Sequence, residues 1–397
     1  MIKLIYDFLI GIVNQFLRIK VEYPYYETDV WIHASSVGEI NAISYLVNLF
    51  IKHRIPVFIT TFTLSGLQRA KTLWGTNVQV SRFPMDKKSE IRKFVRIVKP
   101  SVLVIAETEL WPNLILETKG VSKFLVNARL SDRSFPRYMK FRKFFSKVVR
   151  EFEAILAQSE VDRERFIALG ADPDRVQVLG SLKYDAVKRP YSILNRTTYG
   201  YDEKDVIIIF GSIRAREEAK VVEVARRLLN EYENVQIILA PRHPVRKVKI
   251  IEHLRREGVP FILRTSKKGN YRNAVLILDT LGELYDFYHI ADIAFVGGTL
   301  APYGGHSVIE PAYAGVPVLV GPHYENTREP VELLKEEGAA VVVANERELY
   351  AWLKKLIEDK DLRKEMGKKA HETIESKTGA SEKTFKLIKE KLTSLSG

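Results

Sequence analysis

Short runs of apolar, β-branched residues alternate with amphipathic stretches of helical periodicity along most of the chain. This alternation predicts parallel strands that are covered by helices on both faces. The first series of predicted strands is Val30–Ser35, Val57–Thr63, Val102–Glu109, Lys123–Ala128, Ala154–Gln158 and Val176–Leu179. The second series is Val206–Gly211, Val235–Ala240, Val275–Leu278, Ile293–Val296, Val316–Val320 and Ala340–Val343. Two such series predict two Rossmann-like α/β domains, which we expect to face each other across a cleft.

The domain boundaries follow from turn-forming residues. Residues 188–204 contain Pro190, Asn195 and Gly200 and are the predicted linker. The predicted N-terminal domain is therefore 21–187 and the C-terminal domain 205–375. A charged amphipathic helix is predicted at 376–397, where it could pack back on the N-terminal domain.

Residues 1–20 are apolar but interrupted by polar positions. Lys3, Asp7, Asn14 and Arg18 fall on one face of a helix. Crossing a bilayer takes about 20 uninterrupted apolar residues, which this segment does not supply. We predict a helix that lies in the membrane interface, and the alternative is a helix packed on the protein body.

Positive charge is concentrated in the N-terminal half of the 397 residues. The net charge is +13, and residues 1–185 carry 28 Lys and Arg against 19 Asp and Glu, or +9. This bias favours an anionic partner, namely nucleic acid, an acidic bilayer or a phosphorylated substrate, although a solvated Lys/Glu-rich surface is the alternative. The chain has no cysteine, which excludes disulfides, thiolate metal sites and a cysteine nucleophile.

The segment Arg129–Arg150 combines eight basic residues with interleaved aromatic residues. The aromatic residues are Phe135, Tyr138, Phe141, Phe144 and Phe145. Such a mixture suits nucleic acid or a lipid interface, and the apolar N-terminus favours lipid. An amphipathic helix with a basic outer face and an aromatic core side is the alternative.

Ligands of open α/β sheets bind beyond the carboxyl ends of the strands, so the polar residues there are the candidates for chemistry. After the first strand, Gly38 is expected to allow a tight turn into a helix whose first turn holds Glu39. Glu39 is a candidate general base. The helix N-terminus lowers the pKa of such a carboxyl group and burial raises it, and the sequence leaves the balance open. A helix-capping glutamate is the alternative.

In the second series, the run 297–307 is rich in glycine and joins a strand to a helix. Glycines bring backbone N–H groups close to a ligand, which fits a nucleotide phosphate. His306 and Ser307 add donors, and Glu310 one turn later could accept the ribose hydroxyls. Arg242 and His243 end another strand, and Arg214 is similarly placed; Lys183 lies near the domain boundary. Each of these four alone could instead be a surface ion pair.

The sequence lacks the usual metal-binding patterns, since it has no Asp-x-Asp at a strand end, no His-x-x-x-His and no HExxH. We therefore predict no metal site. Charge on a departing phosphate must then be met by N–H groups and by Arg, Lys or His.

The motifs resemble those of the 3-deoxy-D-manno-octulosonic acid (Kdo) transferases of lipopolysaccharide assembly. The resemblance runs in order through HASSVGE (33–39), TTFTLSG (60–66), ETELWPNL (107–114), NARLSDRS (127–134), AQSEVDRERFIALGA (157–171), GSLKYD (180–185), APRHP (240–244), DTLGELYDFYHIADIAFVGGTL (279–300), GGHSVIEPA (304–312) and VLVGPH (318–323). It implies the two-domain B-type glycosyltransferase fold and an inverting, metal-independent enzyme without a cofactor. CMP-Kdo would be the donor and a lipid A precursor (lipid IVA) the acceptor.

The resemblance also implies roles for individual residues. Glu39 matches the catalytic base that would deprotonate the glucosamine 6′-hydroxyl. Donor-side candidates are Arg242, His243, Gly304, Gly305, His306, Ser307, Glu310, Arg214, Ser212, Lys183, Gly282 and Glu283. Acceptor-side candidates are Ser36, Gly38, Thr63, Glu109, Asn127 and Arg129. Arg214 departs from the family pattern, because a histidine is frequent there.

The resemblance implies a peripheral protein on the cytoplasmic face of the inner membrane. The N-terminal helix and the basic N-terminal domain would contact the anionic membrane surface. Nucleic acid is not an expected partner. One alternative is another B-type nucleotide-sugar enzyme, either a UDP-sugar transferase or an epimerase. The other is a non-enzymatic polyanion-binding protein.

Overall fold

The computed structural model describes residues 6–7, 10, 21–24, 26–188, 192–266 and 271–396. The predicted interfacial helix at 1–20 therefore lies outside the described residues except at three positions. Among these, the Tyr6 hydroxyl donates to Asp86 Oδ2 at 2.7 Å, and Asn113 Nδ2 donates to Asp7 Oδ1 at 2.7 Å. Within the described ranges, no helix combines the length and apolar character needed to cross a membrane.

The chain divides into two compact units. Unit 1 comprises residues 1–189 and 377–397, and unit 2 comprises 190–376. The last helix thus belongs to unit 1, where the Asp185 carboxylate caps its start. Its two oxygens accept the backbone N–H groups of Gly379 and Ser381, each at 2.6 Å. Further along this helix, the ring of Phe385 packs edge-on against Phe50, with the centroids 5.1 Å apart.

Unit 1 is built on a parallel seven-stranded sheet in the order β3-β2-β1-β4-β5-β6-β7. Its strands are β1 Val30–His33, β2 Val57–Thr61, β3 Gln79–Arg82, β4 Val102–Ala106, β5 Ser122–Ala128, β6 Ala154–Ala157 and β7 Val176–Val178. Its helices are α1 Val37–Ala42, α2 Ser44–Lys52, α3 Leu64–Trp74, α4 Lys88–Val98, α5 Pro112–Glu117, α6 Phe135–Lys140, α7 Arg142–Val149 and α8 Glu160–Leu169, with the last helix, α16, at Ala380–Ser396. Short 3₁₀ helices lie at Pro173–Arg175 and Leu182–Val187.

Unit 2 carries a second parallel seven-stranded sheet in the order β10-β11-β9-β8-β12-β13-β14. Its strands are β8 Val206–Ile213, β9 Val235–Pro241, β10 Phe261–Leu263, β11 Val275–Ile277, β12 Ile293–Val296, β13 Val318–Val320 and β14 Ala340–Val342. Its helices are α9 Glu218–Glu231, α10 Lys247–Arg256, α11 Leu284–Tyr288, α12 Ile309–Tyr313, α13 Arg328–Glu336, α14 Glu346–Glu358 and α15 Lys360–Glu375. Its 3₁₀ helices lie at Arg196–Tyr199, Pro244–Arg246, Arg264–Ser266 and Glu325–Thr327. Two Rossmann-like α/β domains are therefore confirmed.

Helices cover both faces of each sheet by burying residues at helical spacing. In α4, Ile91, Phe94 and Val98 are buried, while Arg92, Lys93, Arg96 and Ile97 are exposed. Phe94 packs on Trp31 of β1, with ring centroids 4.4 Å apart. Burying each such side chain contributes about 1.5–3 kcal/mol to the free energy of folding, so this stripe fixes α4 on the sheet.

Two strands and part of the predicted linker differ from the sequence prediction. The strands β3 and β10 were missed, and both are edge strands with weak patterns, since Gln79 and Arg82 bracket β3 and β10 has only three residues. The predicted linker 188–204 is wrong at its C-terminal end. Tyr199 and Tyr201 are 5% and 1% exposed and belong to the core of unit 2, because their rings supply apolar area that turn composition conceals.

Candidate active site

The candidate base Glu39 lies in the first turn of α1, at the carboxyl end of β1. Its side chain is 7% exposed. The backbone N–H of Ser35 donates to Oε2 and the hydroxyl of Ser36 donates to Oε1, each at 2.8 Å. Ser36 Oγ also accepts the Glu39 backbone N–H at 3.3 Å. The capping geometry is therefore present, and it holds the carboxylate in one orientation at the edge where ligands of such sheets bind.

The surroundings of Glu39 favour the protonated form of its carboxyl group, although a position at a helix N-terminus by itself favours the charged form. Burial, followed by the charge of Glu109, raises the pKa of Glu39 to about 7, and the hydrogen bonds from Ser35 and Ser36 only partly oppose this rise. Burial thus outweighs the helix N-terminus. Among the described residues, no Lys or Arg forms an ion pair with Glu39, so its lone pairs are not held by a cation. A carboxyl group with a pKa near 7 is suited to accept a proton at neutral pH.

Two further glutamates share this edge of the sheet. Glu107 follows β4 with φ of 55°, a left-handed conformation that is strained for a side chain of this size. Burial raises the pKa of Glu107, while the charge of Arg129 lowers it. Glu109 accepts a short hydrogen bond from the indole N–H of Trp111. Sequence reasoning had not selected Glu107, although it stands two residues before Glu109 in the same motif.

A buried polar network supports the segment that carries Glu39. His33 is fully buried, its Nδ1 lies 3.0 Å from Thr60 Oγ1, and its Nε2 lies 3.3 Å from Ser35 Oγ. The indole of Trp31 donates to the same Thr60 hydroxyl at 2.8 Å. Burial lowers the pKa of His33 to about 3, so the imidazole is neutral. It therefore serves as an uncharged support under Ser35.

The acceptor-side candidates near Glu39 take distinct positions. Thr63 caps α3 by accepting the N–H of Gly66 at 3.1 Å and donates to the Ser35 carbonyl at 2.9 Å. Gly38 lies inside α1 without a positive φ, so the predicted tight turn at Gly38 is wrong. A Cβ added at Gly38 would meet only Ser36 Oγ, at 3.7 Å. Glycine at this position therefore leaves open space beside Ser36, and the backbone conformation does not require it.

Asn127 is the next-to-last residue of β5 and Arg129 follows the strand, and only one of them is exposed. Asn127 is 3% exposed, has φ of 52°, and its Oδ1 accepts the N–H of Leu182 at 3.0 Å and the hydroxyl of Ser181 at 3.3 Å. Its side chain thus anchors the 3₁₀ helix that carries Lys183. Lys183 lies in unit 1, close enough to Glu107 for its charge to lower the pKa of that group, after the larger effects of burial, Arg129 and Glu109. Arg129 is exposed.

In unit 2, four basic residues gather at the carboxyl end of the sheet. Arg214 Nη1 lies 2.9 Å from His243 Nε2, and its guanidinium stacks 4.4 Å from the centroid of the Tyr303 ring. Burial, followed by the charges of Arg242 and Arg214, lowers the pKa of His306 to about 4. Burial and the same two arginines also lower the pKa of His243. The two arginines therefore place positive charge beside both imidazoles, and a bound anion would offset it.

The first part of the glycine-rich run does not present free N–H groups as predicted. The backbone N–H groups of Gly298, Thr299 and Leu300 donate to the carboxylate of Glu217, at 2.7, 2.9 and 2.8 Å. They are therefore not available to a phosphate, and for these groups the prediction is wrong. Glu217 is fully buried and was not selected from the sequence.

The later part of this run turns through two buried glycines before His306. Gly304 and Gly305 have φ of 81° and 83°, which glycine adopts without strain. His306 follows with a buried Nε2 that has no hydrogen-bond partner among the described residues, and Ser307 is exposed. Glu310 lies in the first turn of α12, and its charge adds to burial in raising the pKa of Tyr288.

The remaining donor-side candidates of unit 2 lie near the end of β8 and on the loop before α11. Ser212, at the end of β8, has φ of 56°. Gly282 is exposed with φ of 93°. Glu283 pairs with Arg264 at 2.9 Å and accepts a short hydrogen bond from the Thr280 hydroxyl. Among the described residues, no group of three or more His, Asp or Glu side chains is arranged to hold a metal ion.

Comparisons with known proteins match these two units in turn. Residues 13–186 match the family model described as 3-Deoxy-D-manno-octulosonic-acid transferase (kdotransferase), and residues 200–373 match Glycosyl transferases group 1. The chain is 33% identical over 371 residues to a 3-deoxy-D-manno-octulosonic acid transferase of Haemophilus influenzae, covering 91% of this chain and 86% of that protein. The chain belongs to the Kdo transferase family.

Two further comparisons concern the family and the fold, respectively. A Kdo transferase of Aquifex aeolicus is 32% identical over 329 residues, covering 83% of this chain and 86% of that one. A solved structure of UDP-GlcNAc 2-epimerase from Neisseria meningitidis, bound to UDP-GlcNAc, superimposes with a TM-score of 0.58 at 12% identity, covering 92% and 99% of the two chains. That second likeness concerns the fold alone.

In this member of the Kdo transferase family, the aromatic residues of Arg129–Arg150 do not all face outward as a lipid interface would require. Phe135, Tyr138, Phe144 and Phe145 pack against the core of unit 1. Only Phe141 among the five is exposed, at 49%. The aromatic part of the lipid prediction is thus wrong for four rings, because α6 and α7 need an apolar face to attach to the sheet. The exposed face is basic.

Proposed function

We propose that this protein transfers Kdo from CMP-Kdo to the glucosamine 6′-hydroxyl of a lipid A precursor, with inversion at the anomeric carbon. The observation that carries the proposal is Glu39, a buried carboxyl group with a pKa of about 7 at the carboxyl end of β1, oriented by Ser35 and Ser36. Membership of the Kdo transferase family supports the identity of the sugar.

The reaction is a single displacement. Glu39 accepts the proton of the 6′-hydroxyl as that oxygen forms a bond to C2 of Kdo. The bond between C2 and the phosphate oxygen breaks, and its electron pair leaves with CMP. Ser36 keeps one carboxylate oxygen hydrogen-bonded while the carboxylate takes up the proton. One displacement at C2 inverts its configuration.

Unit 2 supplies the groups that receive the donor. Arg214 and Arg242 present positive charge, and His243 and His306 present hydrogen-bonding groups, to the phosphate of CMP and to the carboxylate of Kdo. Gly304, Gly305 and Ser307 border the phosphate, Glu310 accepts the ribose hydroxyls, and Ser212, Gly282 and Glu283 complete the donor-side set of unit 2. Lys183, which lies in unit 1, stays a donor-side prediction. On the acceptor side, Arg129 and the space beside Gly38 receive the headgroup of the lipid. Thr63, Glu109 and Asn127 stabilise the backbone segments around that headgroup.

The same proposal covers metal use and location. Arginine and histidine meet the charge of the leaving phosphate, so we expect transfer to persist in the presence of EDTA. We place the protein on the cytoplasmic face of the inner membrane as a peripheral protein. The basic face of α6 and α7, with Phe141 exposed in it, supports contact with anionic lipid.

The test is incubation of the purified protein with a tetraacylated lipid A precursor and CMP-Kdo generated in situ, followed by mass spectrometry of the lipid. We expect Kdo adducts from the native protein and none from Glu39→Gln, a loss of at least about 100-fold. CMP should raise the melting temperature of both proteins, and UDP should not. Absence of adducts from the native protein, or turnover by Glu39→Gln, contradicts the proposal.

A further inference from the structure

Glu217 connects two loops of unit 2 through a single carboxylate. Oε2 accepts the backbone N–H of Arg214 at 2.8 Å and that of Gly298 at 2.7 Å. Oε1 accepts the N–H groups of Thr299 at 2.9 Å and Leu300 at 2.8 Å. Arg214 follows β8 and the other three residues follow β12, the neighbouring strand. Four charge-assisted hydrogen bonds in a fully buried site make this a strong junction.

The loop that Glu217 holds has little room to move. A Cβ at Gly297 would lie 2.7 Å from the Ser212 carbonyl oxygen and 2.8 Å from the Cα of Ile213. On the other side, the Thr299 hydroxyl donates to the Val296 carbonyl at 2.6 Å and accepts the N–H of Gly321 at 2.8 Å. The backbone after β12 is therefore enclosed between the ends of β8 and β13.

This enclosed backbone supports the basic cluster directly. A Cβ at Gly298 would lie 3.1 Å from Cδ2 of His306, 3.2 Å from its Nε2 and 3.5 Å from Cγ of Arg214. Both side chains thus rest on Gly298. Glu217 fixes the backbone of Gly298 and of Arg214 at once, so it sets the spacing between the arginine and the histidine.

We propose that Glu217 is a positioning residue for donor binding, which it serves by holding Arg214 and His306 at the separation that the anionic donor requires. The inference rests on the proposed function, because it takes the basic cluster as the CMP-Kdo site. Glu217 does not itself touch the donor, since its carboxylate is buried beneath the loop.

The test compares Glu217→Gln with a matched control, Asp292→Asn. A glutamine keeps the size of the side chain but places an NH₂ group against backbone N–H donors. Asp292 also accepts a backbone N–H in unit 2, that of Ile207 at 2.8 Å, but it does so near the amino end of β8. We measure the Kd of CMP by calorimetry, the KM of the lipid acceptor and the melting temperature.

We expect Glu217→Gln to weaken CMP binding by about tenfold or more, which follows from losing charge-assisted bonds that orient the site, while the acceptor KM stays unchanged. Asp292→Asn should lower the melting temperature without changing the Kd. Should Glu217→Gln not fold, Glu217→Asp keeps the charge but cannot span both loops, and it should still weaken CMP binding. CMP affinity equal to the native value in the folded Glu217 variant, or an equal loss in the Asp292 control, overturns the inference. A native protein without CMP affinity overturns the proposed function and the inference with it.

Discussion

Glu39 is buried beside a second carboxylate, Glu109, and burial followed by the charge of Glu109 raises the pKa of Glu39 to about 7. A general base must be unprotonated to act, so the rate of transfer should rise with pH as Glu39 loses its proton. The acidic limb of the pH profile should therefore lie near neutrality, well above the ordinary range of a glutamate.

Removing the charge of Glu109 should move this limb to lower pH. In Glu109→Gln the amide oxygen can still accept the Trp111 indole N–H, whereas the negative charge that favours protonation of Glu39 is gone. The measurement is kcat/KM for the acceptor across pH 5–9, an interval of about two pH units on either side of the pKa.

Trp111→Phe is the matched control for this experiment, since it removes the hydrogen bond and keeps the charge of Glu109. Its activity can fall, but its acidic limb should not move to lower pH. An acidic limb in Glu109→Gln at the native position would show that Glu109 does not act on the base.

Glu39→Gln should stabilise the protein at neutral and alkaline pH. Because burial raises the pKa of Glu39 in the folded state to about 7, its favourable contribution is fully present below the unfolded pKa and is lost as pH rises through 7. A glutamine resembles the protonated form and does not lose this contribution. The gain at pH 8 should be on the order of 1–3 kcal/mol, and near zero at pH 4. Urea unfolding at both pH values measures it, and equal stability of the two proteins at pH 8 would refute the argument.

Arg214→Lys should weaken donor binding despite keeping the charge. Lysine cannot reproduce the planar fork that contacts His243 and stacks on Tyr303. We expect the Kd of CMP to rise by about tenfold, corresponding to about 1.4 kcal/mol. Arg196→Lys is the control, because Arg196 pairs with Asp292 and lies outside the basic cluster. Calorimetry that finds the two variants alike would remove Arg214 from the donor site.

Most of the fold could be predicted because buried parallel strands appear in the sequence as continuous apolar runs. Val102–Ala106 and Val206–Ile213 are clear in the sequence for this reason. The strand Gln79–Arg82 was missed because three of its four residues, Gln79, Ser81 and Arg82, are polar. Tyr199 and Tyr201 were assigned to a linker because the surrounding Asn and Gly dominate the local composition.

The site was predicted less completely than the fold. Glu39 was selected from the sequence as the candidate base, but whether burial or the helix N-terminus controls its pKa depends on the packing around it and on Glu109. The role of Glu217 could not be predicted from the sequence, because three of its four partners are backbone N–H groups of a loop more than eighty residues away. Hydrogen bonds to backbone N–H groups do not depend on the identity of the partner side chains, so they can be assigned only from the folded structure.

Asn127 should be more important for stability than for chemistry. Asn127→Ala removes the acceptor for Leu182 N–H, which costs about 1–3 kcal/mol for a buried donor. It also places alanine at φ of 52°, which costs about 1–2 kcal/mol more. Asn127→Gly also loses the acceptor, but glycine adopts this positive φ without strain. The glycine variant should therefore be destabilised less than the alanine variant. Urea unfolding of the two variants measures this order, and the reverse order would contradict the strain argument.

The basic face of α6 and α7 should determine binding to anionic membranes. Lys140, Lys143 and Lys147 are exposed there, near the exposed ring of Phe141. Each basic residue near an anionic surface contributes about 1 kcal/mol, so replacing all three with glutamate should weaken binding to phosphatidylglycerol-containing vesicles by about a hundredfold or more. The native interaction should also weaken as salt is raised, because charges at a surface are screened within about 10 Å at 0.1 M.

The control carries the same charge change elsewhere. Lys360, Lys364 and Lys368 are exposed on α15 of unit 2, and their replacement with glutamate alters the net charge equally. If location matters, this control keeps its affinity for the vesicles. Deletion of residues 1–20 in either background then separates the contribution of the apolar segment, which should persist at high salt because burial of apolar surface is not screened. Equal losses in the two triple variants would show that net charge alone, and not the face of α6 and α7, drives the association.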